Sequence, residues 1–573
     1  MRSGSSVAAL AIVALTAGGV AAPAIASPPD DMPVPACAGV ARSTLAQMSL
    51  KHRIGQLVMS QPSSGGSMPG DGVRRQIEEW GFGSWIIQNR GGAADNVARY
   101  TNQMQSWAAE SGTGVPLLIG ADMENGAEQQ VPDATPIAYP MGLGATRNVE
   151  DSATAGEITG AEAAAMGVNW NFMPVADVNT NPANPVIGVR SFGEDPDLVA
   201  EHVTAYAVAQ QEENVLASAK HFPGHGDTAT DSHLDLPTVT FDRQTLEQVH
   251  LKPFQHAIDA GLDSIMTSHV VVEAVDDELP ATLSHDVLTG LLRQDMGFDG
   301  LVITDGMGMR AISERWGTGD AAVMAIEAGA DVILAGDTAE VTAKAIYDSV
   351  ISGRIPGSRI DESVLRILRT KCDYGLFTDR WADPRSADEV AGSARHMAEA
   401  TRIGQRSITM VKNDDLLPLA GSDADVAVVG PEQAEELAAN LAGRGLSVTA
   451  TETPRRPGAE AIDDAADRAR QSDVAIALTY TFSSMPPEQQ ELVDALIANG
   501  KPVVAVSLGI PYDLAGTEQA GAAIATYALN VNAVLPETVL TGLADVLVGD
   551  ASPEGRLPVT IGGLYPYGTG LSY

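Results

Sequence analysis

Leu216-Ala217-Ser218-Ala219-Lys220-His221-Phe222-Pro223-Gly224-His225-Gly226-Asp227-Thr228, closed by Asp231-Ser232-His233, runs an apolar strand straight into a loop crowded with titratable groups. Gly224 and Gly226 allow the backbone to turn sharply and to approach a ligand closely. A loop of this kind, just beyond a strand, is where an α/β enzyme keeps its chemistry. Three uses fit the residue types. His221, His225 and His233 with Asp227 could ligate a metal ion. Asp231 and His233 could form a dyad in which the carboxylate orients an imidazole that moves protons. The groups could also only brace the loop, but a fold rarely needs so many titratable side chains in one place.

The same pattern repeats from about residue 45 to 378. Short apolar runs end in polar or glycine residues, and an amphipathic helical stretch follows each. The expected strands are 57–61, 83–88, 116–121, 170–175, 216–220, 263–267, 301–304 and 332–335. Eight strand-plus-helix units read as a (β/α)8 barrel. Asp122, Glu124, Asp177, His221, His269, Asp305 and Asp337 fall just past the carboxyl ends of these runs. Barrel enzymes build their sites at that face. Any one of these aspartates could be a helix cap, but so many strand ends carrying functional groups point to a site.

The barrel is expected over residues 37–378 and a polar linker over 379–397. A second domain over 398–573 has apolar strands at 426–429, 447–450, 474–478, 503–507 and 524–527, separated by helical segments. Lys412-Asn413-Asp414-Asp415 reads as the turn leading into it. The pattern is that of a three-layer αβα sandwich with a mostly parallel sheet, and it lacks the glycine fingerprint of a dinucleotide site.

Residues 1–26 read as a secretory signal: Arg2, an apolar run from Val7 to Ala22, and Ala24-Ile25-Ala26 at the cleavage position. That run is too short and too rich in alanine and glycine for a permanent membrane span, so a secreted or cell-envelope location is expected. The net charge of −39 disfavours nucleic acid and anionic lipid as partners. The chain has two cysteines, Cys37 and Cys372. In an oxidising compartment a disulfide is expected, clamping the barrel seam where first and last elements meet.

At this point the chain resembles glycoside hydrolase family 3, and within it the bacterial exo-β-N-acetylglucosaminidases. The Lys220–His233 stretch carries the resemblance, its Asp-Ser-His ending being similar to the acetylhexosaminidase branch. So do Asn184-Pro185-Val186-Ile187-Gly188, Arg190-Ser191-Phe192-Gly193-Glu194-Asp195-Pro196, Pro280-Ala281-Thr282-Leu283-Ser284 and Gly297-Phe298-Asp299-Gly300-Leu301-Val302-Ile303-Thr304-Asp305. The ending Tyr565-Pro566-Tyr567-Gly568-Thr569-Gly570-Leu571-Ser572-Tyr573 resembles the close of two-domain members.

The resemblance implies a cofactor-free retaining enzyme that releases terminal N-acetylglucosamine from peptidoglycan fragments or chito-oligosaccharides. It implies Asp305 as nucleophile, His233 as general acid/base and Asp231 as its orienting partner. Asp122, Arg190, Lys220 and His221 would hold the sugar hydroxyls. Asp177, His225, Asp227 and His269 would stand behind them, His269 with a weaker claim to the pocket wall. A histidine beside a carboxylate can carry a proton near neutral pH, so the activity optimum is expected there. Two departures are visible: Asn125-Gly126-Ala127 stands where the resembling enzymes carry Gly-Gly-Arg, and Gly306-Met307 follows Asp305. The alternatives are phosphorolysis through the same nucleophile, a metal-dependent hydrolase built on the histidines, and a silent sugar-binding protein. The last is disfavoured because a binder need not keep a nucleophile and an acid.

Overall fold

The computed structural model describes residues 34–62, 67–88, 92–419, 424–482, 484–528 and 536–573. The expected signal segment lies outside the described residues. Eight barrel strands run in chain order: Val58–Ser60, Ser84–Ile86, Leu118–Ala121, Trp170–Asn171, Leu216–Phe222, Ser264–Thr267, Leu301–Ile303 and Ile333–Gly336. The first seven pair in parallel in chain order, and the first pairs in parallel with the eighth. A parallel bridge from Ile303 to Val332 joins the seventh strand to the eighth and nearly closes the ring. The fourth strand is shorter than expected because Pro174, in a cis peptide after Met173, has no N–H to give to a ladder. Its line continues through the Ala176 N–H, which donates to the Lys220 carbonyl.

Trp85, Trp170 and Phe172 are fully buried and supply much of the aromatic packing around this sheet. Gly120 has no side chain for a steric reason: a Cβ there would sit 2.7 Å from the Phe172 ring. The helix Val34–Gln47 packs against the helix Gly357–Asp373, and Cys37 is bonded to Cys372 between them.

The second domain is a six-stranded sheet in the order Thr409–Asn413, Ala522–Ala525, Val503–Ser507, Val474–Thr479, Asp425–Pro431, Ser447–Thr453. The last five are parallel, and Thr409–Asn413 is an antiparallel edge. That edge strand corrects the expected turn at residues 412–415. Lys412 and Asn413 are its end, and the turn starts at Asp414, with Asp415 at φ 58° and the Asn413 side chain accepting from the Leu416 and Leu417 N–H groups. Alternation along the strands fills both faces. Ala427 and Val429 face the helices Ala459–Ala469 and Pro487–Ala498. Val426 and Val428 join the larger core with Leu437, Leu441, Leu540 and Leu543 of the opposite helices.

Residues 379–397 are not structureless. The helix Pro384–Val390 packs on Ala94–Glu110, with Ala387 buried. Buried Glu162 gathers the Gly392 N–H and the His396 ring, fixing this segment to the barrel. The domains meet through an apolar patch of Tyr139, Met141, Ala145 and Val189 against Ile510, Leu514, Tyr527 and Leu557. Among the described residues, no helix is long and apolar enough to cross a membrane.

Candidate active site

The carboxyl ends of the barrel strands surround a cavity of about 870 Å3, a size suited to a small ligand. The third strand ends at Ala121 and delivers Asp122 and Glu124. The fifth strand delivers Lys220 and His221. Asp305 follows the seventh strand by two residues. Arg190 ends the short turn Gly188–Arg190. Buried Asn184 holds that turn, accepting from the Val186 and Ile187 N–H groups and donating to the His225 carbonyl and Thr228 Oγ1. One amide therefore ties the Arg190 loop to the histidine loop.

The two glycines of the histidine loop are there for different reasons. Gly224 has φ 130° and lies against His250. A Cβ at Gly226 would collide with the Val178 carbonyl.

Lys220 Nζ lies 2.8 Å from Asp122 Oδ1 and 2.7 Å from Glu124 Oε1. Arg190 grips Glu124 with both arms, Nε to Oε2 at 2.8 Å and Nη2 to Oε1 at 2.7 Å. Two cations thus meet two carboxylates in a nearly dry place. Burial alone would raise the Glu124 carboxyl, but Arg190 and Lys220 overcome it and hold it well below the usual range. Burial also opposes the charge on Lys220, and Asp122 and Glu124 outweigh it and raise its pKa. Glu124 is the site residue that sequence reasoning placed at a strand end but gave no role. The available signal was charge balance: Lys220 and Arg190 together needed more than Asp122.

Buried Asp177 does not line the cavity. Its Oδ2 accepts from His221 Nδ1 at 2.7 Å, and its Oδ1 accepts from the His225 N–H at 2.6 Å. Arg190 Nη2 lies 3.5 Å from His221 Nε2. His225 is walled in by Thr228 Oγ1 at 2.8 Å on Nδ1 and Ser232 Oγ at 3.0 Å on Nε2. Burial, partly offset by Asp177, pushes its pKa down to about 4.

His269 is buried and supports the segment after Asp305: Nε2 donates to the Gly306 carbonyl at 3.0 Å, and Nδ1 meets Thr282 Oγ1 at 2.8 Å. It is not among the cavity walls, which corrects the weaker part of its expectation. Asp227 faces away as well, accepting from Thr180 Oγ1, because the turn after Gly226 points its side chain toward the 180 loop.

Asp305 lines the cavity and accepts the Gly306 N–H at 2.6 Å. Burial opposes its ionisation, but His269, His221, the Gly306 N–H and Lys220 together prevail, and its pKa falls to about 2. On the cavity rim, His233 Nδ1 lies 2.8 Å from Asp231 Oδ1, which also accepts the His233 N–H at 2.8 Å. With Nδ1 committed to Asp231, Nε2 is the ring atom left to exchange a proton. The His233 side chain is 60% exposed. An anionic carboxylate within the cavity and a carboxylate-oriented imidazole on its rim can divide nucleophilic and proton-transfer work between them.

The metal reading of the histidines is not met. His221, His225 and His233 are each directed to a different partner, and both ring nitrogens of His225 are occupied. Among the described residues no three His, Cys, Asp or Glu side chains converge as ligands.

A two-domain barrel and sandwich with this site is the arrangement of glycosidases that keep their chemistry at the barrel's carboxyl face. Residues 49–370 match the glycosyl hydrolase family 3 N-terminal domain and residues 408–567 the family 3 C-terminal domain. The chain is 30% identical over 528 residues to the beta-hexosaminidase A of Pseudoalteromonas piscicida, covering 81% of this chain and 86% of that one. It is 32% identical over 394 residues to a beta-N-acetylglucosaminidase/beta-glucosidase of Cellulomonas fimi, covering 66% and 67%. The solved structure of a family 3 beta-N-acetylglucosaminidase from Paenibacillus sp. str. FPU-7 superposes with a TM-score of 0.83 at 34% identity, covering 90% of this chain and 99% of that one. The chain belongs to glycoside hydrolase family 3, and it is a glycoside hydrolase.

Proposed function

We propose that this enzyme is a retaining exo-β-N-acetylglucosaminidase that frees terminal N-acetylglucosamine from peptidoglycan fragments or chito-oligosaccharides. The observation that carries the reading is the pairing of half-buried Asp305, its pKa lowered to about 2, with the Asp231–His233 dyad in the same cavity. Asp305 attacks the anomeric carbon while His233 gives a proton to the departing oxygen. The resulting glycosyl-enzyme is opened by water that His233 deprotonates. Asp122, Lys220, Arg190 and His221 grip the hydroxyls of the terminal sugar, and charged hydrogen bonds of this kind are the strong ones. The names of the hexosaminidase relatives support N-acetylglucosamine over glucose. Residues 1–26 direct export in this reading, which a mature amino terminus following Ala26 would support.

The test is the initial rate on an aryl β-N-acetylglucosaminide against the matching β-glucoside, for wild type and Asp305→Ala. Turnover of the acetylated sugar alone, lost in the variant, is expected. Equal turnover of glucoside, or activity surviving in Asp305→Ala, would overturn the reading.

A further inference from the structure

Residues 556–573 are fastened to both domains. On the second-domain side, the Leu571 N–H donates to the Met410 carbonyl at 2.7 Å and the Tyr573 N–H to Ser552 Oγ at 3.2 Å. On the barrel side, the Arg556 N–H donates to the Ala145 carbonyl at 2.9 Å. The Arg147 guanidinium lies 4.0 Å from the centre of the Tyr567 ring and donates to the Tyr567 hydroxyl and the Leu557 carbonyl. Leu557, Val559 and Ile561 are buried in the apolar patch between the domains.

The densest of these ties is to Glu194. Its Oε2 accepts from the Thr560 N–H at 2.8 Å and its Oε1 from Thr560 Oγ1 at 2.6 Å. Its own N–H donates to the Pro558 carbonyl at 3.0 Å. Thr560 Oγ1 also accepts from the Tyr567 N–H at 3.2 Å, so its single proton is free for the carboxylate. Beside this clasp, Gly193 packs so closely that a Cβ there would sit 2.5 Å from the Pro558 carbonyl oxygen. Glu194 and Thr560 are both half-buried, and an apolar side chain at 194 would leave two donors of Thr560 unpaired.

These contacts do more than join two domains, because of what lies next to them in the chain. Glu194 is four residues past Arg190, and the residues between are fixed to the loop that carries Asp177. Ser191 Oγ donates to the Asp177 carbonyl at 2.6 Å, and the Asn179 N–H donates to the Gly193 carbonyl at 2.9 Å. The Asp177 carboxylate sets the His221 ring, and Arg190 and His221 both line the cavity. Glu124 thus holds the Arg190 side chain from the front, while Thr560 holds its backbone segment from behind.

Resting on the sugar-gripping role given to Arg190 and His221 above, we propose that Glu194 is a positioning residue. By clasping Thr560 it fixes residues 190–194 against the second domain, and so sets where Arg190 and His221 meet the terminal sugar. The second domain serves the barrel's site through this strap without touching the sugar there.

The test measures kcat and KM on an aryl β-N-acetylglucosaminide or β-glucoside, whichever the wild type cleaves faster. The variants are Glu194→Ala, Thr560→Val, Thr560→Ser and the double variant Glu194→Ala/Thr560→Val. In Glu194→Ala, KM should rise about tenfold while kcat stays within about twofold, as when contacts made in ground and transition state alike are displaced. Thr560→Val should raise KM by a smaller factor, and Thr560→Ser, which keeps the hydroxyl, should hold the wild-type value. The double variant should be no worse than Glu194→Ala, because both changes open one link. An unchanged KM in Glu194→Ala, or effects that multiply in the double variant, would overturn the proposal. So would a fall in kcat at constant KM, which reports only a loss of folded enzyme. If Glu194→Ala does not fold, the contrast between Thr560→Val and Thr560→Ser decides the same question. A wrong sugar assignment would show in the wild type's own preference, whereas a wrong role for Glu194 would show only in the variants.

Discussion

Glu124→Gln tests the ion cluster most sharply, because it keeps the side chain's shape and removes its charge. Glu124 is 5% exposed and holds Lys220, at 2%, and Arg190, at 14%. After substitution Lys220 keeps Asp122, but Arg190 loses the carboxylate that received both its arms. Removing one member of a buried ion pair costs about 3–5 kcal/mol, because the remaining charge stays desolvated. Over residues 49–370, which match the family's N-terminal domain, the unfolding entropy is roughly 0.7 kcal/mol/K at the usual value per residue, so the midpoint should drop about 4–7 °C. The kinetic effect follows from the same geometry. A released guanidinium no longer aims its donors at the sugar, and losing a charged hydrogen bond is worth about 1.5–3 kcal/mol, or about 10- to 100-fold in kcat/KM. Most of that should appear in KM, since these contacts hold ground state and transition state alike. Calorimetry and steady-state kinetics on an aryl N-acetylglucosaminide provide the readout. A variant melting within about 1 °C of wild type with unchanged KM would refute the view that Glu124 organises Lys220 and Arg190.

Cys37→Ser opens a bridge whose ends are 335 residues apart in sequence. It should cost about 2–5 kcal/mol, and a denaturant midpoint insensitive to reductant would contradict this. His225 and His202 are both buried, with pKa values pushed down to about 4 first by burial. A histidine that stays neutral when folded contributes stability fully present above its unfolded pKa, near 6.5, and lost as pH falls toward the folded one. Each should cost about 2 kcal/mol between pH 7.5 and pH 5, and a flat denaturation midpoint across that interval would refute it. Asp231→Asn removes the charge behind His233, so kcat/KM on chitobiose should fall about 100-fold or more. Aryl glycosides with good leaving groups should suffer less, and an equal loss on both would count against a proton-donating role. Inorganic phosphate should leave the product as free N-acetylglucosamine; its appearance as a sugar phosphate would point to phosphorolysis.

The barrel was legible because a parallel sheet buried on both faces writes each strand as a short apolar run, and its site residues fall at the run's end. All eight runs contain the observed strands or overlap them by most of their length. The features that escaped have local causes. Thr409–Asn413 is an edge strand whose polar last two residues look like the turn they precede. The small sheet of Thr238–Val239, Val271–Val272 and Asp276–Pro280 uses pieces too short for any period to register. Within the site, Lys220, His221, Arg190, Asp122 and Asp305 line one cavity, whereas Asp177 and His269 act from behind through His221 and Gly306. Strand-end position alone could not separate those two roles, because both kinds of residue sit at the same level of the barrel. Phe482, which also lines the cavity, was invisible for another reason: it reaches the site from a different domain, and no local pattern reports that.

The most direct test of the account is to trap the intermediate. A 5-fluoro-N-acetylglucosaminyl fluoride, slow to leave once transferred, should add one sugar to the protein. Peptide mapping should place that sugar on the segment containing Asp305. An adduct on Asp122 or Glu124, or turnover with inversion and no adduct at all, would contradict the assignment of Asp305 as the nucleophile.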